Sequence, residues 1–277
     1  MKFGLCCSPV TLDFPQPQFH ENIARLKDSG ADYLEFPVVA TAPESEEREF
    51  EALRSALDGA ALAVEAFNSF IPGHHRLTGP EVDLGKVLEY CRVALARCQA
   101  LGAEVVVLGS AGARKVPNGF DEQTAERQFI EFCRELAPLA QHNGIVICIE
   151  PLNAKEDNFL LSVEKGAQLV DAVAHPNIQL LADLYHIELE AEPLEHVAAA
   201  GARLRHTHVA DVGRVAPGFA QQGEADFTGF FAALHRAGYD TSTHAARCSF
   251  EGSYQDIFEQ ATPLLGLLKE RHQAAIS

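Results

Sequence analysis

The amino-acid sequence predicts an α/β fold, a (β/α)8 (TIM) barrel formed as one domain over residues 1–277. Apolar, β-branched runs alternate with amphipathic helical patterns along the whole chain. Eight such strand–helix units fit in about 250 residues, which is the count and length of that barrel. The competing layout, a doubly wound sheet, would place a glycine-rich phosphate turn after the first strand. The turn found there, CSPVTLDFPQP, contains no GxGxxG. No linker, low-complexity segment or short repeat divides the chain.

Strands are expected at residues 2–7, 31–36, 61–67, 103–108, 145–150, 178–183 and 204–209, with a poorer one at 242–247. Helices are expected near 18–28, 45–57, 81–100, 123–142, 163–173, 192–199, 227–236 and 254–268. Glycines stand at helix exits, where a left-handed residue ends the last turn: Gly30, Gly102, Gly144 and Gly238. Each is followed within a few residues by a strand.

Composition narrows the functional classes. With 22 Lys+Arg against 39 Asp+Glu the formal charge is −17, which repels phosphate backbones and anionic lipid. No basic patch offsets this, so no nucleic-acid partner is expected. No apolar run reaches the ~18 residues of a membrane span, so no membrane partner is expected either. The opening segment MKFGLCCSPV is too short in its apolar part for a secretory signal and reads as a buried first strand. The seven cysteines are odd in number and form no CxxC, as befits core thiols in a reducing compartment. A cytoplasmic protein is expected.

In such barrels the site lies at the C-terminal ends of the strands. The fifth strand, IVICIE, stops on Glu150, and the sixth, IQLLAD, stops on Asp183. In the seventh, the two-residue period places His206 and His208 on one face, with Asp211 beyond and one of the two imidazoles structural. Taken singly, Glu150 could be a loop ion-pair partner and Asp183 a helix cap. Taken together, two carboxylates and an imidazole on consecutive strands suit a divalent ion such as Mn2+, Mg2+ or Co2+, with Zn2+ also open. After the third and fourth strands, Arg76 and the glycine-containing run 109–114 ending in Arg114 could hold an anionic substrate group, or be a flexible loop with solvated arginines. His74 and His75 read as loop residues.

The segments FNSFIPGHHRLTGPEVD, VVVLGSAGARKVPNGF, CIEPLN, LLADLYH and HTHVADVGR, in this order over residues 2–239, resemble the xylose-isomerase-like TIM barrels of the sugar phosphate isomerase/epimerase superfamily. That group includes ketose 3-epimerases, hydroxypyruvate isomerase and inosose dehydratases. The resemblance implies that Glu150 is a metal ligand and acid/base group, with Asp183 and His208 as further ligands. It implies that His186 contacts substrate oxygens beside the metal and that Glu156 and Arg214 line the substrate pocket; an ion pair between surface residues is the alternative for the last two. The implied cofactor is a divalent ion, Mn2+ first. The implied partner is a small sugar or sugar-acid substrate, in a homodimer or tetramer.

One departure stands out. Members of this superfamily end the eighth strand with a second Glu, a fourth ligand and the acid/base for the opposite face of the substrate. Here the stretch after Gly238 reads YDTSTHAARC, and the expected Glu falls on Ala245, Ala246 or Arg247. Glu251 lies further downstream and would require a rearranged strand. His244 is the substitute ligand this alignment offers. The expected function is therefore a metal-dependent sugar or sugar-acid isomerase/epimerase acting through an enediolate, with the strand-eight Glu missing. An inosose-type dehydratase needs only one proton abstraction and is the close alternative. A catalytically impaired sugar-binding relative is another. An apurinic-site endonuclease shares the barrel but is disfavoured by the charge.

Overall fold

The computed structural model describes residues 1–241 and 245–277. Its centre is a closed barrel of parallel strands in sequence order. They are β1 (Lys2–Cys6), β2 (Tyr33–Pro37), β3 (Val64–Asn68), β4 (Val105–Leu108), β5 (Val146–Ile149), β6 (Ile178–Asp183), β7 (Leu204–Val209) and β8 (Arg247–Phe250). The wrapping helices are α1 (Phe19–Asp28), α2 (Glu47–Leu57), α3 (Leu84–Ala100), α4 (Ala111–Arg114) and α5 (Glu122–His142). They continue with α6 (Val163–Val173), α7 (Leu184–Leu189), α8 (Leu194–Ala200), α9 (Phe227–Arg236) and α10 (Ile257–Ile276).

Local chemistry accounts for the element boundaries. Asp83, Asp121, Ser162, Asp226 and Asp256 each accept hydrogen bonds from backbone N–H groups in the first turn of the following helix. Gly102 and Gly144 leave their helices at φ of 96° and 67°, a region that penalises a Cβ, and Gly30 and Gly238 do likewise. Outward-facing strand residues such as Leu34, Phe67, Ile147 and Leu180 bury against the helices as one continuous apolar layer. A second, smaller cluster of Tyr33, Ala66, Val105, Val107, Cys148 and Leu181 fills the barrel interior. The seven cysteines are free thiols. Among the described residues no helix is long and apolar enough to cross a membrane.

The first seven strands fall within a few residues of expectation, but the eighth does not. It begins at Arg247, where the expected strand ended, and closes the barrel through Lys2↔Arg247, Phe3↔Cys248, Gly4↔Ser249 and Leu5↔Phe250. The reason is its alternation. Cys248 and Phe250 pack outward in the apolar layer, while the intervening positions carry polar side chains that face other barrel residues. Arg247 donates from Nε to Glu65 at 2.7 Å and pairs with Glu104 at 2.8 Å, at the end where the strands begin. With only two apolar residues, β8 lacks the run by which a strand is recognised. Arg247 is thus a floor residue, remote from the strand ends, and the residue that ends β8 at the functional face is Glu251.

The floor leaves little room above it. A Cβ on Gly4 would lie 2.3 Å from a ring atom of Tyr33, whose hydroxyl shares a 2.8 Å hydrogen bond with Ser249 across the interior. Gly4→Ala is therefore expected to destabilise the protein by about 1–3 kcal/mol through overpacking. Gly266→Ala, in open space on helix α10, should instead add up to about 1 kcal/mol from helix propensity. Urea unfolding of both variants checks the contrast.

Candidate active site

Glu150, Asp183 and His208 converge at the C-terminal ends of β5, β6 and β7, each offering a ligand atom within 4.8 Å of the others. All three side chains are buried. The strand register aligns Asp183 directly with His208. Glu150 is the first residue past β5, and its room comes from Gly109, where a Cβ would stand 2.2 Å from Glu150 Oε2. Asp183 does two things at once. Its Oδ1 accepts from the Tyr185 N–H at 2.8 Å and caps α7, while its Oδ2 is buried with no hydrogen-bond partner among the described residues. The capping role therefore leaves the second oxygen free for a ligand.

His208 lies between two carboxylates. Nδ1 is 3.0 Å from Glu150 Oε1, and Nε2 is 2.9 Å from Glu35 Oε1. Glu35, an inward residue of β2, is fully buried and also binds His206 Nε2 at 2.8 Å and the Ser249 hydroxyl at 2.7 Å. Burial alone would raise the Glu35 carboxyl, but the two imidazoles outweigh it and hold the group well below the usual carboxylate range. Burial would lower His208, yet the Glu35 charge and the hydrogen bonds to Cys6, Glu150 and Glu35 push it well above the ordinary histidine value. Glu35 is the residue that sequence reasoning missed. Its signal was an acidic residue in the apolar strand YLEFP, which by sequence alone is no different from an exposed strand position.

His206 is the structural imidazole of the pair, held behind His208 by the same carboxylate, with ring centroids 5.0 Å apart. His186 approaches from α7. Its Nδ1 accepts from the Asn153 backbone N–H at 3.2 Å, and Asn153 Nδ2 lies 2.8 Å away. A backbone N–H can only donate, so the neutral ring carries its proton on Nε2. That Nε2 is buried, without a hydrogen-bond partner among the described residues, and 3.7 Å from Asp183 Oδ2. A donor and an acceptor thus stand unused side by side.

Glu251 lies beside the group, close enough for its charge to be felt there. Its backbone N–H donates to Val209 O at 3.0 Å, extending the β7–β8 pairing by one step. Two residues beyond Ser249, it falls on the same face of the strand. Burial raises its pKa, and the neighbouring charges of Glu150 and Asp183 raise it further against the opposing pull of His208 and Arg214. Asp183 is raised too, first by burial and then by Glu150, against His186. Burial would raise Glu150 as well, but His208 beside it brings it below the usual range. The expectation that the terminal Glu was lost is therefore corrected: β8 begins only at Arg247, and a carboxylate, Glu251, stands immediately after it.

The remaining expected residues divide. Arg214 bridges Glu156, at 3.0 Å, and Glu251, with its guanidinium 5.2 Å from the Tyr185 ring centroid. Glu156 and Arg214 therefore pair with each other at the edge of the site. A pocket of about 380 Å³ is lined by Arg214 and Glu251 together with Cys6, Ser8, Asn68 and Tyr254 among others. Arg114 is not available to an anionic substrate group. It is fully buried, donating to Asp157 at 2.7 Å, to Leu108 O at 3.1 Å and to Glu150 O at 2.7 Å. It braces the backbone of Glu150 from behind, because the end of run 109–114 folds into the short helix α4 instead of an open loop. Arg76 donates to the carbonyls of Gly112 and Lys115, joining the loops after β3 and β4. His244 lies outside the described residues.

The donor set fits a divalent cation. Asp183 Oδ2 has no partner among the described residues, Glu150 and His208 offer ligand atoms close to it, and the carboxyls of Asp183 and Glu251 are raised by burial and by neighbouring negative charge. The Nε2 contact to Glu35 is the outer carboxylate support by which a ligating histidine is usually held. Cys6 is close, but burial and the Glu35 charge push its thiol up, so it remains protonated.

The family model for the xylose isomerase-like TIM barrel matches residues 23–248. The chain belongs to that family. It is 29% identical to L-ribulose 3-epimerase of Methylomonas sp. (strain DH-1) over 154 residues, covering 50% of this chain and 53% of that one, so the match spans about half of the relative's length. It is 28% identical to 2-oxo-tetronate isomerase of Pectobacterium atrosepticum over 249 residues, covering 86% and 88% of the two chains. Among solved structures, D-psicose 3-epimerase with D-tagatose from Clostridium cellulolyticum H10 superimposes with a TM-score of 0.80 over 98% of this chain and 99% of that one, at 18% identity. At that identity the likeness is one of fold.

Removing the Glu35 carboxylate should leave two buried imidazoles without their acceptor. Glu35→Ala is expected to cost about 3–5 kcal/mol in the metal-free protein, and Glu35→Gln less. The pH dependence has a defined sign. Glu35 has a depressed folded-state pKa, so its contribution is present above the ordinary carboxylate range and is lost as pH falls through the depressed value. His208 has a raised one, so its contribution is complete below the ordinary histidine range and is lost as pH rises through the raised value. Urea melts across pH should show the stability gap between wild type and Glu35→Gln narrowing at both extremes. A gap independent of pH would contradict the charged pairing.

Proposed function

We propose that this protein is a divalent-metal-dependent sugar or sugar-acid isomerase/epimerase that works through an enediolate. The observation that carries the reading is the position of Glu251. It gives the barrel mouth two carboxylates, Glu150 past β5 and Glu251 past β8, on strands separated by β6 and β7, with Glu150 in one ligand cluster with Asp183 and His208 and Glu251 within electrostatic reach of that cluster. The reading is further supported by the sugar epimerase and isomerase names of the relatives. With Glu251 at the strand end, the motive for a catalytically impaired relative falls away.

Glu150, Asp183 and His208 would hold the ion, with Glu251 as the fourth ligand. Mn2+ is the first choice, and Mg2+, Co2+ or Zn2+ are compatible with the same donors. A bound divalent cation would polarise the carbonyl and hydroxyl oxygens of the substrate and so acidify the C–H between them. His186, with its proton on Nε2, donates to a substrate oxygen beside the ion. Glu150 and Glu251 exchange a proton with the substrate carbon, one from each side, as inversion at that carbon requires. Arg214 holds Glu251 in place and, through Glu156, closes the rim of the pocket. Arg114 keeps the Glu150 backbone fixed, so that the carboxylate position does not depend on the bound substrate.

With Mn2+ present and ketoses or ketose acids as substrates, Glu150→Gln and Glu251→Gln should each lower epimerisation by about 10²–10⁴-fold, the range for loss of a positioned acid or base. Solvent deuterium incorporation separates the faces. Exchange without inversion in one variant supports two opposed bases, whereas unchanged inversion in Glu251→Gln would overturn that assignment. Dehydration, the one-base alternative, would show as loss of water from an inosose substrate in wild type and in Glu251→Gln alike.

Metal affinity should also rise with pH. His208, raised in the metal-free site, must give up its proton to bind, as must the raised Asp183 and Glu251. Calorimetric titration with Mn2+ at several pH values should show tighter binding and fewer protons released as pH increases.

A further inference from the structure

We propose that Glu44, His74 and His75 form a second metal site, specific for a borderline divalent ion of the Zn2+ type, that clamps the loop after β2 to the loop after β3 at the rim of the barrel. The three residues offer ligand atoms within 4.8 Å of one another and share no residue with the Glu150 group. Both imidazoles aim the same atom at the same target: His74 Nε2 is 2.8 Å and His75 Nε2 is 3.1 Å from Glu44 Oε1. The contacts span 30 and 31 residues of sequence, so tertiary structure brings them together.

The arrangement is built, not incidental to two flexible side chains. His75 is 4% exposed, its ring lies 4.9 Å from that of Tyr90 on α3, and its backbone N–H donates to Pro72 O at 3.0 Å. Tyr90 is fixed in turn by its hydroxyl, which donates to Phe70 O at 2.9 Å. Packed this way, the His75 ring turns Nε2 toward Glu44 at the surface. His74 follows the same course, with ring centroids 4.4 Å apart. Tetrahedral zinc with bonds of about 2.0–2.1 Å needs ligand atoms about 3.3 Å apart. The two nitrogen-to-oxygen spacings, 2.8 and 3.1 Å, are a few tenths of an ångström short of that, a difference the exposed Glu44 side chain can supply by rotating outward. Two nitrogens and one oxygen select borderline ions over Mg2+ or Ca2+, whereas the carboxylate-rich Glu150 group favours harder ones. A fourth position stays open to water.

The test is Zn2+ titration of the metal-stripped full-length protein by calorimetry, with Co2+ absorbance reporting coordination geometry. Wild type should take up one equivalent more than His74→Ala or Glu44→Gln, both surface changes whose folding circular dichroism verifies. The variant Glu150→Gln/Asp183→Asn should still bind one equivalent, and Zn2+ should raise its melting temperature. That variant separates this site from the one at the strand ends: if the Glu150 group bound no metal at all, wild type would show a single site that His74→Ala abolishes. Equal Zn2+ uptake by wild type and folded His74→Ala, or no uptake by Glu150→Gln/Asp183→Asn, would overturn the proposal.

Discussion

The arrangement at the barrel mouth depends on a carboxylate that a substrate does not reach. Glu35 is buried inside the barrel, where an isolated charge would cost several kcal/mol. It is tolerated because its oxygens accept from two imidazoles and a hydroxyl. Those same bonds orient His208, so that its other nitrogen faces Glu150 across 3.0 Å. Three strands are tied through one residue: β2 supplies the carboxylate, β7 the imidazoles and β8 the serine. An error of one residue in any of these strands would turn its partner out of the interior.

Charge organises the site above this anchor. Glu150, Asp183 and Glu251 lie close enough that burial and mutual repulsion raise two of the three, and the nearby cations only partly compensate. A bound dication would offset this repulsion. Arg114, expected from the sequence as a candidate for an anionic substrate group, is instead consumed in holding the chain behind Glu150. Around the site, Arg114 and Arg214 therefore act on the protein itself, while His186 Nε2 and the Tyr254 hydroxyl are buried without a hydrogen-bond partner among the described residues.

Helices, strands and their order were legible in the residues because each depends on short-range chemistry. Aspartates and a serine cap helices, glycines end them, and apolar strand residues bury against the outer layer. The strand ends at Glu150, Asp183 and His208 could be read for the same reason, since each terminates a recognisable apolar run. His186, three residues past Asp183, was pointed to by the family resemblance alone, and the structure places it on α7, the helix that Asp183 caps.

Strand eight marks the boundary of that legibility. Its inward residues are Arg247 and Ser249, so hydropathy fades there, and its place is set by pairing with β1 and β7 across the length of the chain. Closure of the barrel, a long-range condition, is what puts Glu251 at the mouth. The same holds for Glu35, which is indistinguishable from a surface acid until the barrel surrounds it, and for Glu44 with the two rim histidines, which meet only when neighbouring loops fold over the same edge. Local sequence thus determines which elements form and where most of them end. The side chains that meet inside depend on register around a closed sheet, because contacts between distant strands leave no periodic trace in the sequence.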